Sequence, residues 1–324
     1  MSSTGAVLGE GSHVGPGERH AETIALEAAG ESAKASSVYV TLEPCVHQGR
    51  TPPCVDAIIA AGVGRVIVGT GDPDERVAGR GVERLRSAGI EVVVGVLSED
   101  VRASDPAYFH HRSSGMPLVT MKYAMTLDGS VAARDQTSQW ITGEDARRDA
   151  HRLRRDADAV VVGAGTLRSD DPRLDVRLEG YEGPQPRPVV IAGSMSLPDN
   201  AAMWDRDPLI VTSRTIDVPA GDVIEVAGDT LGLPEPRAAC GALAEAGYLS
   251  ILLEGGPTLA GAWWRTGVID RGIVYVGAQL AGGAGMSAIS GVFGTIDEAT
   301  PAKIVGTHTL GSDIRIEFER IQSG

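Results

Sequence analysis

A strand pattern followed by a helix pattern, and then the same pair again, is what most constrains this chain. VYVTL (38–42) is β-branched and aromatic, as a buried strand is, and TPPCVDAIIAAG (51–62) opens on prolines and closes on glycine, as helices do. RVIVGTG, GRGVERLRSAG and IEVVVGVL continue as strand, helix and strand. That βαβαβ rhythm predicts a mostly parallel sheet covered by helices. A second block follows RSSGMP (112–117), in which LVTMKYAMTLDG reads as a strand running into a turn, GEDARRDAHRLRRDA (143–157) as a polar amphipathic helix, and AVVVGAGTL as a short buried strand. RPVVIAG, DPLIVTS, SILLEGG and GIVYVGAQL are further strands, and LEGYEGPQPRP (178–188) is a surface loop. DIRIEFERI alternates strictly, which predicts an antiparallel strand at or near an edge. At 324 residues two domains are expected, 1–113 and 114–324.

Charge and cysteine usage exclude several function classes. Lys and Arg number 29 against 43 Asp and Glu, a net charge of −14, and so acidic a surface repels phosphate backbones and anionic membranes. Neither a nucleic acid nor a membrane is therefore an expected partner. No apolar run approaches the roughly 18 residues of a membrane span, and MSSTGAVLGEGSH carries neither a basic n-region nor an apolar h-region. Three cysteines cannot build a disulfide framework, and a reducing cytoplasm fits them best.

The chemistry-bearing residues of the first block are His20, Glu22, Cys45 and Cys54. One histidine and two cysteines are the N and S donors that zinc prefers, with one tetrahedral position left for water. Glu22, two residues after the histidine and outside the ligand set, suits a group that takes a proton from that water and hands it to a leaving amine. H-x-E followed by P-C and a second cysteine is the zinc-deaminase pattern, although here the cysteines are eight residues apart instead of two. Cys54 opens a helix, where backbone N–H groups favour thiolate. Cys240 reads as a small buried hydrophobe, and His13 and His47 as pocket or surface residues, not ligands.

TLEPCVHQGRTPPC (41–54) closely resembles the deaminase motif of the bifunctional riboflavin-biosynthesis enzymes, T-L-E-P-C-x-H-x-G-[RK]-T-P-P-C, which carries the longer cysteine spacing. GDPDERVAGRG (71–81) resembles the D-P-N-P-x-V-A-G-x-G of the same family, and the similarity runs through both blocks. It implies a cytidine-deaminase-like αβα domain followed by a dihydrofolate-reductase-like α/β domain. Of the family's N-P-x-V-G-A-V segment only Gly5-Ala6-Val7 remains, so an N-terminally shortened deaminase half is expected.

No G-x-G-x-x-G follows a strand in the second block, so a Rossmann dinucleotide site is not supported. Leu253-Glu254-Gly255-Gly256-Pro257-Thr258 is instead a strand ending in a glycine turn that opens a helix, whose N–H groups can hold phosphate. The resemblance implies NADPH as cofactor, contacted by Ala124, Trp140, Thr166, Asp170, Ser194 and Gly255, Gly256, Pro257 and Thr258. On the substrate it places Lys122, Asp128, Ser138, Arg154, Leu174, Arg177 and Glu254. Arg154 and Arg177 can make forked, charge-assisted bonds to a ribose phosphate.

The expected activity is therefore zinc-dependent removal of the 2-amino group of diaminohydroxyphosphoribosylaminopyrimidine, then reduction of the ribosyl to the ribityl chain with NADPH, in a homodimer or larger assembly. The alternatives are a reductase carrying a silent zinc-binding fold, a deaminase–reductase acting on a related pyrimidine or purine, and a polynucleotide deaminase. The net charge and the appended reductase speak against the last.

Overall fold

The computed structural model describes residues 1–321 except 14, 16, 50, 136, 194, 195, 284 and 292–294. The chain divides into two compact units, Met1–Ser114 and Gly115–Gly324.

The first unit runs α1 (Ala21–Ala29), β1 (Ser37–Leu42), α2 (Cys54–Ala60), β2 (Arg65–Thr70), α3 (Arg80–Ser87), β3 (Glu91–Val94), α4 (Ser98–Ser104) and α5 (Pro106–Ser114). Its three strands form a parallel sheet in the order β1-β2-β3, with Val38 opposite Val66 and Val66 opposite Val92. Val55, Ile58, Val66, Val68, Val82, Leu85 and Val92 make its core, so each buried apolar stripe read from the sequence meets the others here. α4 and α5 are not expected from sequence; the polar run SEDVRASDPAYFHHRSS lacks an apolar period and neither helix buries a residue fully.

The second unit runs β4 (Leu118–Thr126), α6 (Glu144–Arg155), β5 (Ala159–Gly163), α7 (Ala164–Asp170), β6 (Arg187–Ala192), β7 (Leu209–Thr212), β8 (Asp222–Glu225), α8 (Pro236–Glu245), β9 (Ser250–Leu253), α9 (Pro257–Arg265), β10 (Arg271–Gly277), β11 (Ala302–Leu310) and β12 (Asp313–Arg320). They form a nine-stranded sheet in the order β11-β12-β10-β4-β9-β5-β6-β7-β8. All pairs are parallel except those that β12 makes with β10 and β11, which are antiparallel, the direction its alternation predicts. The central strands read as unbroken apolar runs because both faces are covered. Val161, Val189 and Leu253 pack with α8 and α9 on one face, and Val160, Val162, Val190 and Leu252 pack with Leu167 of α7 on the other.

One expectation needs correction. AVVVGAGTL is not a single strand: β5 stops at Gly163 and the chain turns into α7, which puts Thr166 and Asp170 on a helix. After β5 the chain moves outward through β6, β7 and β8, then returns to insert β9 between β5 and β4 before β10 joins the other side of β4. In open α/β sheets such a change of direction leaves a crevice at the carboxyl ends of the strands, where ligands bind.

Candidate functional site

In the first unit three elements converge. His20 immediately precedes α1, with Glu22 in that helix's first turn, where the helix dipole favours a carboxylate. β1 ends at Leu42 and is followed by Glu43, Pro44 and Cys45, while Cys54 opens α2. The ligand atoms of His20, Cys45 and Cys54 lie within 4.8 Å of one another. His20 Nδ1 is 3.1 Å from Cys54 Sγ and 3.6 Å from Cys45 Sγ. Tetrahedral ligands at zinc bond lengths sit about 3.5–3.8 Å apart, so the trio matches zinc in donor type and comes close to it in spacing.

The two thiols lie in different surroundings. Cys45 accepts hydrogen bonds from the Cys54 thiol and from its N–H at 3.3 Å, which hold Cys45 down to about 6 against the opposing effect of burial. Cys54 is pushed up by that same bond, by burial and by the nearby Glu22 carboxylate.

A cavity of about 790 Å³ opens beside the trio, lined among others by Glu22, His13, His47, Asp72, Tyr108 and Arg112. The rings of His13 and His20 meet edge-on with centroids 5.1 Å apart. His47 Nδ1 is buried without a hydrogen-bond partner among the described residues, which leaves it available to a ligand. Sequence reasoning passes over two buried carboxylates in this wall, Glu43 and Asp72. Tyr108 donates its hydroxyl to Asp72 at 2.9 and 3.1 Å, and burial pushes the Asp72 carboxyl up. A glutamate between a strand and a proline was the available sign of the first.

In the second unit Lys122, Arg154 and Glu254 meet at the carboxyl end of β9, and Thr166, just beyond β5, meets Gly256. Glu254, directly after β9, is bound by both arms of the Arg154 guanidinium (Nε 2.7 Å, Nη2 3.0 Å), and Lys122 of β4 brings its Nζ to 3.5 Å. Burial pushes the Glu254 carboxyl up, but the charges of Arg154 and Lys122 outweigh it and hold the group well below the usual carboxylate range. Ala124 lies two residues beyond Lys122 on the same strand. The Arg154 fork is therefore committed to Glu254, and its Nη1 donates to the Asp175 carbonyl at 3.1 Å. Arg177 keeps an exposed guanidinium and donates its backbone N–H to His151 Nδ1 at 3.2 Å.

Gly255 and Gly256 turn the chain into α9. A Cβ at Gly255 would press on Leu259, and Gly256 donates its N–H to Thr166 Oγ1 at 3.1 Å, so Gly255 is held to glycine by packing and the turn is tied to α7. Pro257 and Thr258 begin α9, and Asp170 ends α7, exposed. Trp140 is 65% exposed with the Arg147 guanidinium 4.6 Å from its ring, and Gln279 Nε2 donates to the Trp140 and Ile141 carbonyls at 3.1 and 2.7 Å. Ser138 is half-buried in the same loop.

Two residues sit differently from expectation. The Leu174 side chain is 2% exposed in the core, so any ligand contact falls to its backbone, which has φ +55°. Asp128 is exposed but already held by protein groups: Thr126 donates its hydroxyl to it, as do the N–H groups of Ala281 (3.0 Å), Gly282 (2.7 Å) and Gly283 (3.2 Å). Those bonds, the Thr126 hydroxyl first, bring its carboxyl down to about 2. Ser194 lies outside the described residues.

Comparison with known proteins agrees in both halves. Residues 2–70 match the cytidine and deoxycytidylate deaminase zinc-binding region, and residues 117–316 match the RibD C-terminal domain. The chain is 42% identical over 324 residues to the riboflavin biosynthesis protein RibD of Mycobacterium tuberculosis, covering 99% of this chain and 85% of that one. It is 39% identical over 326 residues to that of Chlamydia muridarum, covering 97% and 88%. Among solved structures, Acinetobacter baumannii RibD superposes with a TM-score of 0.89 at 31% identity, over 99% of this chain and 90% of that one. A diaminohydroxyphosphoribosylaminopyrimidine deaminase/5-amino-6-(5-phosphoribosylamino)uracil reductase from Thermotoga maritima gives 0.87 at 30%, with the same coverage.

Proposed function

The chain belongs to the riboflavin biosynthesis protein RibD family, and on that premise we propose a division of labour between its two units. The protein is a bifunctional enzyme of riboflavin biosynthesis: it deaminates diaminohydroxyphosphoribosylaminopyrimidine and reduces the resulting phosphoribosylaminouracil with NADPH. We assign the first step to residues 1–113 and the second to residues 114–324. The observation that carries the assignment is the His20–Cys45–Cys54 trio beside Glu22.

His20, Cys45 and Cys54 hold zinc, which when bound supplies the Lewis acidity that makes water a nucleophile at neutral pH. Glu22 accepts a proton on its carboxylate and returns it to the departing amine. In the second unit NADPH supplies the hydride, and the protein supplies alignment. Trp140, Ala124, Thr166, Asp170, Ser194 and the turn Gly255–Thr258 hold the cofactor. Lys122, Asp128, Ser138, Leu174 and Glu254 line the substrate. Of the two arginines expected on the ribose phosphate, Arg177 keeps an exposed guanidinium with only its Nε near a partner, 3.5 Å from Asp175 Oδ1, which supports it as the phosphate ligand, while Arg154 also orients Glu254.

Ammonia release with NADPH omitted, followed by NADPH oxidation on the deaminated product, is the expected sequence of events. Oxidation without ammonia release from zinc-loaded protein would leave only a reductase with a silent first unit.

The finer points are inferred as follows. Cysteine ligands need a reducing compartment, which supports a cytoplasmic enzyme. A homo-oligomer is supported by β11, a nine-residue strand at the sheet edge that is exposed along most of its length, with Ile304 63% exposed. Long exposed apolar edges are normally covered. Ile304→Glu is expected to shift the protein to monomer in sedimentation velocity; an unchanged sedimentation coefficient would clear this edge of any role.

A further inference from the structure

The stretch GDPDERVAGRG (71–81) offers neither histidine nor cysteine, and what it closes round is a single carboxylate. Glu43 is 3% exposed and accepts the backbone N–H groups of Asp72 (3.4 Å), Gly79 (2.9 Å) and Val82 (3.0 Å). Asp72 and Gly79 lie in the segment leading into α3, and Val82 in the first turn of that helix. Gly79 presents its N–H from φ +83°, a conformation that suits glycine. A Cβ at Gly81 would overlap the Pro44 carbonyl oxygen and press on Glu43 Oε1. Gly79 and Gly81 are thus accounted for by a cradle whose donors lie 29 to 39 residues away from the acid in sequence.

Two residues after that acid comes Cys45. The residue between them is proline, whose ring fixes φ, so the placement of Glu43 passes to Cys45 with little slack. Cys45 Sγ must in turn stay near His20 Nδ1 and Cys54 for the trio to hold.

We propose that Glu43 is a positioning residue for the metal site: it pins the end of β1 to the start of α3 and thereby sets Cys45 Sγ against His20 and Cys54. The proposal rests on the reading of that trio as the zinc ligands. Groups that support metal ligands from behind commonly change metal affinity by about 10- to 100-fold when altered. A glutamate that merely stabilised the fold would act on unfolding alone.

The test uses the full chain, with zinc affinity measured by chelator competition, the thiolate-to-metal band of the cobalt-substituted protein, and thermal unfolding. Glu43→Gln is expected to weaken zinc about 10- to 100-fold and to shift the cobalt band. Val66→Ala, in the core of the same unit but away from the cradle, is expected to lower the unfolding temperature while zinc affinity and the band stay as in wild type. Wild-type zinc affinity in Glu43→Gln, or a loss that Val66→Ala matches, overturns the proposal. Should Glu43→Gln not fold, Gly79→Ala strains one donor without touching the carboxylate and is held to the same criteria. If the unaltered chain takes up neither metal, the trio is not a metal site and the proposal falls with it; that result is recognised because all variants then behave alike.

Discussion

Glu22→Gln is expected to slow ammonia release at least about 100-fold, and up to about 10,000-fold, with zinc content unchanged. Glutamine keeps the size and hydrogen-bonding reach of the side chain but cannot take up the proton. Glu22 stands outside the trio of ligand atoms, so the substitution removes no metal donor. Its place in the first turn of α1, two residues from His20, couples it to that ligand by a short rigid stretch of helix. NADPH oxidation measured on the already deaminated substrate reports on the other unit in the same preparation. Ammonia release at the wild-type rate would show that Glu22 carries no proton in this reaction.

The other large effect concerns Arg154. Arg154→Met leaves Glu254 buried with only Lys122 at 3.5 Å to balance it, and removing one member of a buried pair typically costs about 3–5 kcal/mol. Urea unfolding at neutral pH is the measurement, and a cost below about 1 kcal/mol would contradict the assigned role. Adding Glu254→Gln should recover much of the loss, since no charge is then left unpaired. The pH dependence has a definite sign. Glu254 is depressed in the native state, so its contribution is complete above the unfolded value near 4.3 and fades as pH falls toward the native value. In Arg154→Met the effect of burial is no longer outweighed to the same degree. The difference in stability between wild type and variant should therefore narrow as pH drops below about 4.

How much of this could be read beforehand depends on where each interaction lives. The parallel core strands were legible because burial on both faces leaves runs such as AVVV and RPVVIA. β8 and β11 were not, because mostly exposed strands carry no apolar face to reveal them. The break inside AVVVGAGTL was hidden for the opposite reason: apolar residues continue from strand into helix, and only Gly163 marks the turn. In the site, the zinc trio was legible from residue type and order. The bond from the Cys54 N–H to Cys45 Sγ was not, since it depends on how the turn before α2 folds back on the first cysteine. The Glu43 cradle and the Asp128 bonds were equally hidden, because a carboxylate meeting backbone N–H groups across 29 to 155 positions leaves no mark in the pattern of side chains. The burial of Leu174 follows from the path of the loop after α7, which resemblance alone does not convey.

The Asp128 arrangement has a thermodynamic consequence. Segments with two glycines in succession sample many backbone states, and ordering them on ligand binding would subtract from affinity. Here Gly282 and Gly283, at φ +84° and +77°, already donate their N–H groups to the exposed Asp128 carboxylate. The conformational entropy of that loop is surrendered during folding. A ligand that reached this loop would lose no affinity to the ordering of its glycine backbone.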